Sequence, residues 1–247
     1  LSGLQQRAFL VDTLADISVA GKAHNAQPDD TAFIQFSSGS TSEPKGIVLT
    51  HRNILTNARG AGEAAAFSEQ DVTLSWMPLT HDMGLIGMFI MMYAHRMQLN
   101  MMPTELFVRR PLLWMQIAAR KRVTITSSPN FGFRHYLKVL SDRSVADLDL
   151  ASIRLLFNGA EPISASLARE FIARLQPAKL PPQAMYPVYG LAEATLAVSF
   201  PRLDARLTAV ALDRHHLSVG HEAKDIDTNS PDAAEFVSVG RPIPYCQ

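Results

Sequence analysis

The chain has 247 residues, enough for one large domain or two closely packed ones. Its 23 basic and 23 acidic residues cancel, which removes the electrostatic case for nucleic acid or an anionic membrane surface as a partner. The one cysteine, Cys246, excludes a disulfide framework within the chain and fits a reducing, cytoplasmic setting. The longest apolar run, about 84–94, falls short of the roughly 20 residues that cross a bilayer, and no signal-type run opens the chain. The start at Leu1 and the stop at Gln247 set the expectation of an internal segment of a longer protein.

In chain order, residues 4–20 read as an amphipathic helix and 21–30 as a polar linker. A strand over 31–36 leads into the polar loop 37–46, and a short strand over 47–50 leads into a helix from His51 to about Ala66, with Thr50 or Asn53 as its cap. A strand over 72–77 ends in the loop 78–84, and an apolar helix continues to about His95. One helix is expected from Phe107 to about Lys121, with Pro111 in its first turn. Strands over 123–126, 153–157 and 184–188 alternate with helices over 131–139 and 164–175. Two later strands are expected over 208–212 and 235–239. The repeated strand–loop–helix unit argues for an α/β fold, with layered, mostly parallel sheets flanked by helices. Ligands in such sheets sit beyond the carboxyl ends of the strands, and here the loops after strands carry the unusual residues.

The loop Ser37-Ser38-Gly39-Ser40-Thr41-Ser42-Glu43-Pro44-Lys45-Gly46 is the most distinctive segment. Glycines expose backbone N–H groups, hydroxyls add donors without bulk, and a lysine supplies positive charge, which is what a polyphosphate requires. It departs from the Walker pattern, because Pro44 precedes Lys45 and Gly46 follows it. Taken alone, a solvated Ser/Gly linker is the lesser but open reading.

Together with later segments, this loop resembles the phosphate-loop signature of the adenylate-forming superfamily, which includes acyl-CoA synthetases, luciferases and peptide-synthetase adenylation domains. Tyr189-Gly190-Leu191-Ala192-Glu193 is similar to its tyrosine–glycine motif, and Asn158-Gly159-Ala160-Glu161-Pro162 to its adenine-contacting strand end. The run Trp76 to Gly87 and the Ala-Glu-Ala-Thr ending at Thr195 are similar to the fatty acyl-AMP ligase branch, and to fatty-acid-loading domains of polyketide and lipopeptide synthases. The resemblance runs from Ala32 to Pro244. Ser42 stands where the family usually has glycine, Glu43 adds a negative charge, and Ala192 replaces a common threonine as it often does in the ligase branch.

The resemblance implies attack of a fatty carboxylate on the α-phosphorus of ATP, giving acyl-AMP, then transfer to the phosphopantetheine thiol of an acyl carrier protein. Coenzyme A as acceptor, or a non-catalytic scaffold, are the alternatives. It implies that Ser37, Ser38, Gly39, Ser40, Thr41, Lys45 and Gly46 hold phosphates, and that Asn158, Gly159, Ala160, Glu161, Tyr189, Gly190, Leu191 and Ala192 surround the adenylate. Glu193 is implied as a Mg²⁺ ligand, although a carboxylate taken without its neighbours is more readily a surface group. Thr41, Lys45, His81 and Glu193 form the implied catalytic set, with Asp82 structural. Eight of the ten methionines fall between Met77 and Met102. Met83, Met88, Met91 and Met92, with His81, Asn130 and Phe131, are candidates for the wall of an acyl pocket, against the plainer reading of a buried core helix. A ribose-binding acidic residue and a small C-terminal domain are expected beyond Gln247, leaving this segment as part of a larger AMP-binding domain.

Overall fold

A five-stranded, all-parallel sheet forms the centre of the molecule, in the order β4-β3-β5-β6-β7. Its strands are β3 (Val72–Ser75), β4 (Gln98–Met101), β5 (Ile125–Ser128), β6 (Leu155–Asn158) and β7 (Met185–Pro187). The computed structural model describes residues 21–37 and 45–246. The expected helix over 4–20 and the loop residues 38–44 lie outside the described residues. Every residue of β5, β6 and β7 is buried, as a parallel sheet covered on both faces requires.

Around this sheet run α1 (His51–Ala65), α2 (Met91–Ala94), α3 (Thr104–Arg109), α4 (Leu113–Lys121), α5 (Asn130–Leu140) and α6 (Ala165–Leu175). Trp114 of α4 joins three helices, lying 5.8 Å from Phe133, 6.1 Å from Tyr136 and 6.0 Å from Phe171 between ring centroids. Its indole N–H donates to Thr126 Oγ1 at 2.8 Å, so this fully buried ring also ties α4 to β5.

The expected alternation of strand and helix holds through the central sheet, but the smaller sheets are antiparallel. β1 (Thr31–Ser37) and β2 (Lys45–Thr50) form a hairpin, with Ser37 opposite Lys45. The phosphate-type loop therefore joins two antiparallel strands, and the helix begins only after β2. That start uses both expected caps. Thr50 Oγ1 accepts from the Asn53 N–H, and the Asn53 side chain accepts from the Thr50 N–H, a reciprocal capping box. β8 (Tyr189–Gly190), β9 (Ala197–Phe200) and β12 (Arg241–Pro242) make a three-stranded sheet, and β10 (Ala209–Asp213) pairs with β11 (Ala233–Val237).

Two expectations are corrected. The single helix over 107–121 is two helices, α3 and α4, because Pro111 restrains the residue before it and Arg110 takes an extended φ of −140°. β4, which pairs with β3 from Val72–Gln98 to Ser75–Met101, had no assigned element: its Gln-Leu-Asn-Met sequence alternates polar and apolar, but over only four residues and without a β-branched side chain.

At the amino edge of the sheet sits a buried ion pair. Asp71, 3% exposed, receives Arg154 Nε at 2.8 Å and Nη2 at 2.7 Å, together with Thr124 Oγ1 at 2.7 Å and the Ser68 N–H at 3.0 Å. Arg154 spends its other donors on the carbonyls of Ala65 and Ala66, which end α1. Burial alone would raise the Asp71 carboxyl; the bonds from Arg154 and Thr124, the arginine charge and the Ser68 N–H outweigh it and hold the carboxyl below its ordinary value. The stabilisation is thus fully present above the unfolded carboxyl pKa of about 3.9 and is lost as the pH falls through the lower folded value. Asp71→Asn is expected to cost about 3 kcal/mol at neutral pH, because it leaves a partly buried guanidinium without its counter-charge. Urea unfolding at neutral pH and near pH 3 checks this: wild type should lose more stability on acidification than the variant does.

Candidate functional site

The loops leaving the carboxyl ends of β3, β6 and β7 enclose an apolar cavity of about 190 Å³. His81, Met83, Met88, Met91 and Met92 line it, as do Ala160, Tyr189 and Gly190. The helix carrying the methionines is not α-helical at first. Met83–Ile90 is a π-helix, and the Met91 N–H reaches back to Ile86 O. Two glycines allow this wide turn to pack. A Cβ at Gly84 would overlap the carbonyl of Pro78, and one at Gly87 would lie 2.9 Å from Leu196 Cδ2. Gly87 lies in the cavity wall, and the missing side chain leaves part of the space.

A second cavity, of about 570 Å³, lies beneath the β1–β2 hairpin and is lined by Phe33, Gln35, Leu79, Thr80, Leu85 and Ala192 among others. His81 and Asp82 line both cavities. The dipeptide therefore stands between the apolar space and a cavity walled by β1, the strand that leads into the phosphate-type loop. Its own bonding is defined. The Met83 N–H lies 2.7 Å from Asp82 Oδ1 and 3.2 Å from His81 Nδ1. The shorter contact, to a carboxylate, is the hydrogen bond; Nδ1–H is then donated to Asp82 across 2.8 Å, leaving Nε2 for a ligand. This bond to Asp82 raises the His81 pKa, against the opposing effect of burial. For Asp82, burial pushes upward, but His81, the Met83 N–H and Gln35 bring the carboxyl below its ordinary value. Gln35 Oε1 is buried with no hydrogen-bond partner among the described residues.

Other proposed site residues divide. Asn158 ends β6, fully buried, with Oδ1 unpaired among the described residues. Gly159 lies against Val188, and Ala160 takes a φ of +70°, which turns the chain into the cavity rim. Glu161 does not face the cavity; its Oε1 accepts from the Phe131 N–H at 3.1 Å, at the start of α5 where a carboxylate is favoured. Asn130 and Phe131 do not line the apolar cavity. Asn130 Nδ2 donates to Pro162 O at 2.6 Å and its Oδ1 accepts from Ser164 N–H at 3.2 Å, bracing one loop against another. Phe131 packs edge-on to Trp76 at 5.5 Å. Tyr189 is half exposed at the mouth. The Leu191 N–H bonds Leu196 O at 2.9 Å, and a Cβ at Gly190 would overlap that same carbonyl.

Glu193 projects from a short 3-10 turn (Ala192–Ala194) and is exposed. No group of three or more His, Cys, Asp or Glu could hold a metal among the described residues. A single exposed carboxylate fits Mg²⁺, which takes one or two protein carboxylates and completes its shell with phosphate and water. Lys45 and Gly46 open β2, both exposed, while Ser38, Gly39, Ser40 and Thr41 lie outside the described residues. The sequence reading missed Phe67, Phe157, Leu196 and Phe200 as cavity residues, because apolar side chains at element ends carry no mark separating pocket wall from core.

With this geometry in place, comparison with known proteins is informative. The model of the family described as AMP-binding enzyme matches residues 4–247, and the chain belongs to that family. It is 36% identical over 196 residues to TtuA of Teredinibacter turnerae, a medium-chain fatty acid–acyl carrier protein ligase, covering 79% of this chain and 30% of that one. It is 37% identical over 243 residues to FadD32 of Mycolicibacterium smegmatis, a long-chain fatty acid–AMP ligase, covering 95% of this chain and 38% of that one. The crystal structure of a fatty acyl-adenylate ligase from L. pneumophila, in complex with acyl adenylate and pyrophosphate, superposes with a TM-score of 0.83 at 32% identity, covering 90% of this chain and 39% of that one. The chain thus spans 30% and 38% of the lengths of these two curated relatives. No helix among the described residues is long and apolar enough to cross a membrane.

The His81–Asp82 bond gives a direct test of the site's electrostatics. Asp82→Asn removes the charge that favours the imidazolium while leaving the burial that opposes it, so the His81 pKa should fall. Following the ring protons by NMR across pH 5 to 8, about the range in which histidine titrates, checks the direction; an unchanged midpoint would show that Asp82 does not govern His81.

Proposed function

We propose that this chain is part of the AMP-binding domain of an enzyme that activates a fatty acid as acyl-AMP, using ATP and Mg²⁺, and passes the acyl group to an acyl carrier protein in the cytoplasm. The observation that carries the reading is the place of His81 and Asp82, which line both the methionine-walled cavity and the cavity beneath the hairpin whose loop is rich in Ser, Thr and Gly. An acyl carboxylate emerging from the first cavity would meet a phosphate chain held over the second. The names of the relatives and of the superposed complex point the same way.

Both reactants are anions, so the protein must neutralise charge and hold the two in line. Lys45, with the backbone and hydroxyls of Ser37 to Thr41 and Gly46, would hold the phosphates. His81 would place the carboxylate: its raised pKa favours the cationic form, which attracts the oxygen that attacks. Tyr189, Gly190 and the turn from Asn158 to Ala160 would border the adenylate. Glu193 would hold Mg²⁺, which offsets phosphate charge as pyrophosphate leaves.

Fatty-acid-dependent ATP–pyrophosphate exchange, measured on the protein at its full natural length, tests the proposal. Lys45→Ala and Glu193→Ala are each expected to lower the exchange rate about a hundredfold, the scale of removing one preorganised charge-stabilising group. His81→Ala should lower kcat more than it raises the fatty-acid KM. Exchange that needs no fatty acid, or that survives all three changes, would sink the reading. Supplying coenzyme A and a holo carrier protein side by side decides the acceptor, and acyl-CoA as the main product would replace the carrier.

A further inference from the structure

The lining of the apolar cavity runs from the carboxyl edge of the central sheet toward its amino edge, and the chain topology separates the two ends. His81, Ala160 and Tyr189 lie beyond the carboxyl ends of β3, β6 and β7. Phe67 lies at the other edge, between the end of α1 and the start of β3, with its N–H bonded to Gly62 O at 2.9 Å. Met91 and Met92 accompany it. They belong to α2, which ends three residues before β4, and the first residue of β4 pairs with Val72 at that same edge.

The Phe67 ring packs edge-on against two other rings. His95 meets it edge-on at 5.3 Å and 80°, and Phe157 at 6.3 Å and 87°. His95 is itself fixed, with Nδ1 2.8 Å from Met91 O and its ring against Gly62, where a Cβ would overlap Nε2. Methionines can repack around a longer ligand, whereas a stiff aromatic ring packed edge-on against two others has fewer ways to make room. The cavity in front of it measures about 190 Å³. An apolar cavity of about 150 Å³ accepts benzene, so this one has room for about eight carbons.

We propose that Phe67, backed by His95, is the chain-length stop of the cavity, and that the acid activated here is medium-chain, of about eight carbons. The inference rests on the acyl-adenylating reading of the same cavity and adds to it the substrate class and the residue that sets it.

The test is ATP–pyrophosphate exchange by the full-length protein with hexanoate, octanoate, dodecanoate and hexadecanoate. Wild type should prefer octanoate to hexadecanoate by at least about tenfold in kcat/KM, the scale on which an apolar pocket discriminates chain length. Phe67→Ala should move the dodecanoate-to-octanoate ratio about tenfold toward dodecanoate. Phe67→Leu should move it the same way by less, and serves if the alanine variant does not fold. Phe67→Trp should discriminate against octanoate while retaining hexanoate. Equal use of hexadecanoate and octanoate by wild type, or folded variants that keep the wild-type ratio, would overturn the assignment of the stop. Absence of exchange with every acid would instead overturn the acyl-adenylating reading beneath it.

Discussion

The pairing of Asp71 with Arg154 sets the frame on which everything else is measured. One buried carboxylate collects donors from the end of the α1 turn, from the residue before β5 and from the residue before β6, while the arginine also closes the last carbonyls of α1. Strands β3, β5 and β6 are thereby anchored together at their amino edge. Because all of them are short and run the same way, anchoring one edge determines how their carboxyl ends line up at the other. The turns at Pro78, Pro129 and Gly159 therefore emerge side by side. In a parallel sheet, that edge is where ligands gather.

Above that edge, the geometry depends on what is missing from side chains as much as on what is present. The π-turns from Met83 to Ile90 are wider than an α-helix and are often found at functional positions. They fit only because Gly84 can lie on the Pro78 carbonyl and Gly87 on Leu196. The first contact holds the helix start close to the loop bearing His81, and the second leaves open space midway along the helix. Asp82 joins these demands. It caps the π-helix through the Met83 N–H and orients His81 through Nδ1. Helix start, histidine orientation and the partition between two cavities are consequences of one carboxylate.

Much of this was legible in the amino-acid sequence, and the exceptions have physical causes. The strands β3, β5, β6 and β7 announce themselves as apolar or β-branched runs ending in polar turns, and Ser164 marks the start of α6 through its bond to the Leu167 N–H. β4 was missed although Gln98-Leu99-Asn100-Met101 alternates polar and apolar, because the run is only four residues long and holds no β-branched or aromatic side chain; tertiary pairing with β3 recruits it, and the Asn100 amide adds a bond to Thr73 O. The break at Pro111 was misplaced because proline tolerates a first helical turn, and only the backbone of Arg110 shows that the chain leaves the helix there. Asn130 and Phe131 follow a strand end, as pocket residues do, yet their bonds go to Pro162, Ser164 and Glu161. Strand-end position is a sequence property; the direction in which a side chain finds its partners is not.

The methionines show why core and pocket wall could not be told apart from residue type. Met88, Met91 and Met92 are no more than 3% exposed and belong to the continuous hydrophobic core, and they also line the cavity. Core membership and cavity lining therefore coincide along that helix. A core position becomes a pocket wall when the facing volume is left unfilled, and here the unfilled volume is traced to particular places: the absent side chain of Gly87, the turn of Ala160 at positive φ, and the ring of Phe67 held back by His95 and Phe157. Such a void is costly in a domain built only for stability, since cavity-lining groups forfeit packing contacts. The same lining becomes an asset once an apolar chain occupies it and restores those contacts. The ligand-binding role proposed for the space between Phe67 and His81 rests on that balance.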